Sequence, residues 1–268
     1  MTRNSLAGYF AEYLCSSVSV TPSRMTSEEL VGRILYRDAL AIILDKPAGL
    51  PVHAGPRNAS ERNGDGSVPL TSLFDALRFG LPRRPELAHR LDRETSGCLV
   101  LGRNRAALER LGSLFQSGKV AKTYWAVVAG GPLEGEGVID LALGRRDPSR
   151  GWWMKVDPKG VTAVTRWQVL GRAGAREGMA ALTALALEPV TGRTHQLRVH
   201  CAAMGWPILG DAIYGEAPRS AEPALHLHAR ALELPLYPKR DPVRAVAPIP
   251  ERMRANLAAC GIEEAAGA

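Results

Sequence analysis

His89-Arg90-Leu91-Asp92-Arg93-Glu94-Thr95-Ser96-Gly97 runs straight into Cys98-Leu99-Val100-Leu101. The first stretch ends in turn-forming residues and the second is an apolar strand. Asp92 sits among basic neighbours next to that turn. A carboxylate held there can be exposed, rigid and ionised at once, which a nucleophilic or proton-abstracting Asp requires. A lone Asp in a hairpin is more often a plain surface residue, so the rest of the chain has to decide.

Upstream, Ile34-Leu35-Tyr36, a turn at Arg37-Asp38 and Leu40 to Leu44 read as a strand pair or a bent strand. Asp45-Lys46-Pro47-Ala48-Gly49 ends it with turn chemistry. Residues 55–67 carry almost nothing apolar and read as a mobile loop. Leu70, Leu73, Phe74 and Leu77 recur at helical spacing, which predicts a short helix over 70–79.

Downstream, Leu108, Leu111, Leu114 and Phe115 predict a helix with Asn104 as N-cap and Gly118 closing it. Residues 122–128 are β-rich with apolar residues on both faces, the pattern of a central strand. Further strands are expected at 137–143, 161–170, 180–188 and 225–235. The segment 144–160 reads as a basic loop containing Trp152 and Trp153. Helices are expected over 194–204, with Thr194 as N-cap and Gly205 just past the end, and over 250–260. There is no steady βαβ alternation, so the order favours an α+β fold on a largely antiparallel sheet. Residues 1–27 read as an extension, 28–262 as one domain and 263–268 as a tail.

The chain has 268 residues, 46% hydrophobic and 23% charged, enough for a sizeable core in a soluble globular domain. Lys and Arg total 34 against 27 Asp and Glu, giving a net charge of +7. That excess suits an anionic partner, with nucleic acid first. The four cysteines (Cys15, Cys98, Cys201 and Cys260) show no C-x-x-C pair, which points away from a zinc site or disulfide framework and fits a reducing cytoplasm. No apolar run approaches the length that spans a bilayer. The segment Leu6 to Val20 is interrupted by Glu12 and lacks a signal peptide's apolar stretch. No coiled-coil heptad stands out, so a monomer is expected.

A second constellation is Thr191-Gly192-Arg193-Thr194-His195-Gln196-Leu197-Arg198-Val199-His200. It gathers two arginines, two histidines and a glutamine at a helix start, an anion-binding position. Basic residues there oppose the helix dipole. A bound anion or a buried carboxylate should therefore compensate them. His195 and His200 lie about 140° apart on a helix, which argues against a shared metal. His226 and His228 lack a third ligand. Ser96 lacks the G-x-S-x-G elbow of a serine hydrolase.

HRLDRETSG, KTYWAVVAG and GRTHQLRVHCAAMGWPILGDAIYG together resemble the three signature stretches of pseudouridine synthases of the RluA type. ILDKPAGLPVHAG and LHLHARALELPLYP resemble the family's flanking segments, so the likeness runs from about Ile34 to about Pro250. The resemblance implies an α+β catalytic domain with a central, mainly antiparallel sheet, flanking helices and an active-site cleft across its middle. It implies isomerisation of uridine in ribosomal or transfer RNA, without cofactor or metal. Residue by residue, Asp92 matches the catalytic aspartate, Tyr124 the tyrosine that stacks on the target ring, and Arg198 the basic residue that pairs with the aspartate. Arg90 matches the arginine pushed towards the space left by the flipped base. Arg193, Thr194, His195 and Gln196 match the RNA-binding turn. Two departures stand out. Gly102-Arg103 replaces a common Ala-Lys, and residues 1–33 are shorter than the RNA-binding domain with which many relatives begin.

On this reading the nucleotide flips into a pocket, at a cost on the order of a few kcal/mol. The uracil leaves, rotates and rejoins the ribose through carbon 5. Whether Asp92 attacks the sugar or removes a ribose proton stays open. So do two alternatives, a non-catalytic RNA-binding protein and a hydrolase that releases uracil.

Overall fold

The computed structural model describes residues 25–53, 68–147, 153–175, 180–215, 217 and 224–263. Most of the expected extension over 1–27, the expected loop at 55–67, Trp152 and most of the tail at 263–268 lie outside the described residues.

Leading into the sheet is α1 (Ser27–Val31), followed by β1 (Ile34–Arg37) and β2 (Ala41–Lys46). A 3-10 helix, Leu70–Leu77, precedes β3 (Glu86–Leu87) and β4 (Ser96–Gly102). Then come α2 (Arg105–Gln116), β5 (Ala121–Ala129), β6 (Glu136–Asp140), β7 (Leu143–Arg145), β8 (Met154–Val156), β9 (Val164–Ala173) and β10 (Leu182–Pro189). The chain continues through α3 (Gln196–Ala203), β11 (Leu227–Leu234), β12 (Val243–Val246) and α4 (Glu251–Ala259). Ten strands form one sheet, ordered β1-β2-β4-β11-β5-β10-β9-β6, with β3 beside β4 and β12 beside β11. Its pairings are antiparallel except β4 with β11, where His228 faces Ser96 and Ala229 faces Gly97. The fold is α+β, as expected, and β5 is a central strand.

Both faces of the sheet are covered, and the sequence shows why. Ile42, Leu44, Leu99 and Leu101 point into one core with Leu70, Phe74 and Leu77 of the 3-10 helix. Ile43, Val100 and Cys98 alternate to the other face and meet Leu111 of α2. A strand buried on both faces needs an unbroken apolar run, and Cys98-Leu99-Val100-Leu101 is that run. Further along the sheet, Ala126, Val128 and Leu185 pack under Leu197 and Cys201 of α3. Val127 and Ala184 pack against Met253 and Leu257 of α4 on the opposite face. Tyr124 touches both cores on the first face, at the seam between them.

Several expectations are corrected. The helix at 70–79 is a 3-10 helix ending at Leu77, with no side-chain cap at Pro69. Beyond it, Phe79 at φ 45 takes the left-handed conformation that ends a helix. The basic loop expected at 144–160 instead includes β8 and most of β7, paired strands of three residues each that are too short to show a period. Thr26 caps α1 in a reciprocal capping box with Glu29. Both signals of α2 held: the Asn104 side chain accepts from the Ala107 amide, and Gly118 takes φ 68 just past the helix end.

Candidate active site

Asp92 stands on the turn before β4, and the protein fixes that turn from below. Lys46, at the end of β2, is fully buried. Its Nζ donates to the carbonyls of Pro47 at 2.7 Å, Arg93 at 2.9 Å and Thr95 at 3.0 Å. Three carbonyls match the three donors of an ammonium. Burial, opposed mainly by Glu94, pulls the pKa of Lys46 down to about 7. Gly49 donates its amide to the Arg93 carbonyl at 2.9 Å, and Arg93 Nε returns a bond to the Gly49 carbonyl at 2.8 Å. Gly97 then lets β4 meet β11: at its φ of 103°, a Cβ would lie 2.2 Å from the Ala229 carbonyl oxygen.

The turn opens onto a cleft of about 620 Å³ above the middle of the sheet. Asp92, Tyr124, Arg198, Arg90, Arg193, Thr194, His195 and Gln196 all border it, so every site residue expected from the sequence converges on one opening. Tyr124 is strongly desolvated, and burial, reinforced by the charge of Asp92, raises its pKa well above the ordinary value. The phenol is therefore a neutral donor. Arg90 and Arg193 are exposed at the rim.

Two expected roles change. Arg198 was expected to pair with Asp92. Its guanidinium instead forks onto Asp211, Nε to Oδ2 at 2.8 Å and Nη2 to Oδ1 at 2.7 Å. Asp211 also accepts the amides of Ile213 and Tyr214. It is the buried carboxylate that the basic helix start required. Arg198 acts on Asp92 as a nearby charge and not as a hydrogen-bonding partner. His195 is the side chain beside Asp92, its Nε2 3.8 Å from Oδ2.

Gln196 was expected at the RNA. Its side chain is buried and committed to the protein. Oε1 accepts from the Thr191 hydroxyl and the Arg193 amide, and Nε2 donates to the Val164 carbonyl and Thr165 Oγ1. The start of α3 also differs from the expectation. His195, in the left-handed conformation at φ 54, is the N-cap instead of Thr194, and no side chain caps the helix.

A family model described as RNA pseudouridylate synthase matches residues 41–203, a span holding Asp92, Tyr124, His195 and Arg198. The chain belongs to that family. The synthase is 44% identical to an RNA pseudouridine synthase of Zymomonas mobilis over 83% of its own length and 95% of the relative's. It is 35% identical to the ribosomal large subunit pseudouridine synthase D of Xanthomonas campestris, over 89% of this chain and 72% of that one. Among solved structures, human RNA pseudouridylate synthase domain containing 4 superposes with a TM-score of 0.69 at 28% identity, covering 89% of this chain and 96% of that chain. The protein is thus an isomerase acting on RNA. Among its described residues, no helix is long and apolar enough to cross a membrane.

Sequence reading missed four residues of the synthase's site. Lys46 looked like turn chemistry; a lysine two positions past the apolar run Ile42-Ile43-Leu44 was the available signal. Asp211 and Tyr214 belong to a loop whose partners are set only by folding. Lys122 shares a strand face with Tyr124 and borders the cleft, and burial lowers its pKa.

Proposed function

We propose that the synthase isomerises uridines of ribosomal or transfer RNA to pseudouridine, with Asp92 acting on the ribose of a flipped nucleotide. One observation carries this reading. Asp92 is the single acidic side chain among the described residues that border the cleft, and Arg90, Lys122, Arg193 and Arg198 border the same cleft. Cations draw in the phosphate backbone and help offset the cost of flipping. The detached uracil rests on the flat face of Tyr124, with the phenol as a neutral donor. Residues 28–262 form the catalytic domain on this proposal. Similarity to a ribosomal large subunit enzyme favours ribosomal RNA as substrate.

Release of uracil by hydrolysis is less well supported, because glycoside hydrolysis usually employs two carboxylates and this cleft offers one. Incubating the protein with uridine-labelled bulk RNA separates the outcomes. The expected product is isomerised nucleoside. Free base would support hydrolysis, and unchanged RNA would support a binding protein. Asp92→Asn should abolish turnover while RNA binding stays nearly intact. Substantial pseudouridine formation by that variant would remove Asp92 from the mechanism. Mapping pseudouridines in cells with and without the gene identifies the target.

A further inference from the structure

We infer that His195, locked by Tyr214, is the positioning residue of the Asp92 carboxylate, and is not primarily an RNA contact. The inference rests on the catalytic reading of Asp92 given above.

The geometry is a continuous chain. The Met154 amide at the start of β8 donates to the Tyr214 hydroxyl oxygen at 2.9 Å. That hydroxyl lies 2.8 Å from His195 Nδ1. On the far side of the imidazole, Nε2 faces Asp92 Oδ2 at 3.8 Å. Both ends of this last gap are sheltered, with side-chain exposures of 12% for His195 and 20% for Asp92.

The proton inventory fixes the direction of the chain. An ionised carboxylate only accepts. A bare Nε2 lone pair facing it would be repelled, so Nε2 carries the proton. In neutral His195, Nδ1 is then an acceptor, filled by the Tyr214 O–H. That hydroxyl has its own acceptor site occupied by the Met154 amide. Every donor has one acceptor, and the remaining one, Nε2–H, points at Asp92. A movement of about 1 Å in either side chain brings it within hydrogen-bond distance.

Tyr214 itself has little freedom. Its amide is held by Asp211, its ring meets His195 edge-on with centroids 5.6 Å apart, and the Arg198 guanidinium lies 5.3 Å over its face. Arg198 and Asp211 thus reach Asp92 through Tyr214 and His195. The left-handed backbone of His195, uncommon outside glycine, is the local strain that aims its ring at the turn.

The charged groups facing His195 are Asp92 and Arg90 from the catalytic turn, Arg198 from α3 and Asp211 from the loop beyond. β8 contributes the Met154 amide through Tyr214, while its Lys155 is exposed and pairs with Asp157 at 3.8 Å. Burial lowers the pKa of His195 and Asp92 opposes the shift, so the ring is neutral at pH 7.

Two measurements test the pairing. The first follows the ring nitrogens of 15N-histidine-labelled protein by NMR, with His195→Gln supplying the assignment. Wild type should show the Nε2–H tautomer. In Asp92→Asn the pKa of His195 should fall by about one unit, because a favourable charge has gone. An Nδ1–H tautomer, or a pKa that ignores the Asp92 substitution, overturns the inference.

The second compares variants with matched melting temperatures. His195→Ala should lower the rate at saturating RNA by about 100-fold, the scale of a 1 Å misplacement, with RNA affinity nearly unchanged. His195→Gln keeps an N–H donor near the Nε2 position and should recover most of that loss. Tyr214→Phe should fall between. Weaker RNA binding with an intact saturated rate would return His195 to the RNA-contacting set. Equal rates for the Ala and Gln variants would show that the donor is unused. An active Asp92→Asn, or a wild type that converts no uridine, refutes the proposed function instead, and the NMR result still decides the pairing.

Discussion

Arg198 illustrates how far one residue's role depends on its partner. The forked pair with Asp211 is nearly sealed from water, with side-chain exposures of 6% and 1%. Removing one member of such a pair strands the other charge in a low dielectric. Arg198→Ala should therefore cost about 3–5 kcal/mol of stability by denaturant titration. Arg198→Lys should remain costly, since an ammonium cannot reproduce the fork. A stable Arg198→Ala protein would show that Asp211 finds water or another donor. The chemistry of this residue was legible in the sequence: a basic side chain at a helix start needs an opposing charge. Which carboxylate supplies it was not, because Asp92 and Asp211 are equally acidic on paper. Gln196 carries the same lesson. Its amide suits RNA or protein, and burial alone assigned it to protein.

At the scale of elements, the turn that carries Asp92 leads into β4 and is held against the end of β2. Its backbone carbonyls accept from Lys46 Nζ and from the Gly49 amide, and the Arg93 guanidinium donates back to the Gly49 carbonyl. Lys46→Met keeps the stem but takes the Nζ donor from three carbonyls, of which Arg93 retains the Gly49 amide. The expected loss is about 3 kcal/mol or more, together with activity, as Asp92 loses its footing. A variant with unchanged denaturation midpoint and turnover would contradict the clamp. Apolar pattern had located β2, β4, β5 and α2, whose runs and spacings are long enough to read. It missed β12 and the β7–β8 hairpin, where strands of three or four residues give too few repeats. The N-cap of α3 lies one residue later than expected, at His195, whose ring is turned to the Tyr214 hydroxyl and caps no helix amide.

At the scale of the whole molecule, the net charge of +7 becomes useful only where folding concentrates it. Arg90, Lys122 and Arg193 converge on the cleft from three separate stretches of chain. If these three neutralise phosphates, the logarithm of RNA affinity should fall with the logarithm of salt with a slope of at least about −2. Replacing Arg90 and Arg193 by Ala should flatten it by about 1.5. Salt-independent binding would contradict an electrostatic cleft. The amino-acid order alone determined the α+β class and the antiparallel bias, and singled out Asp92 and Tyr124 as candidates. Those follow from alternation along a strand and from short motifs, both of which are local. Tertiary structure decided the parallel junction of β4 with β11, the burial of Lys46, the partner of Arg198 and the placing of His195 beside Asp92. Each of these depends on which distant strands lie side by side, and that is set by how the two cores close together, not by the neighbours of any one residue.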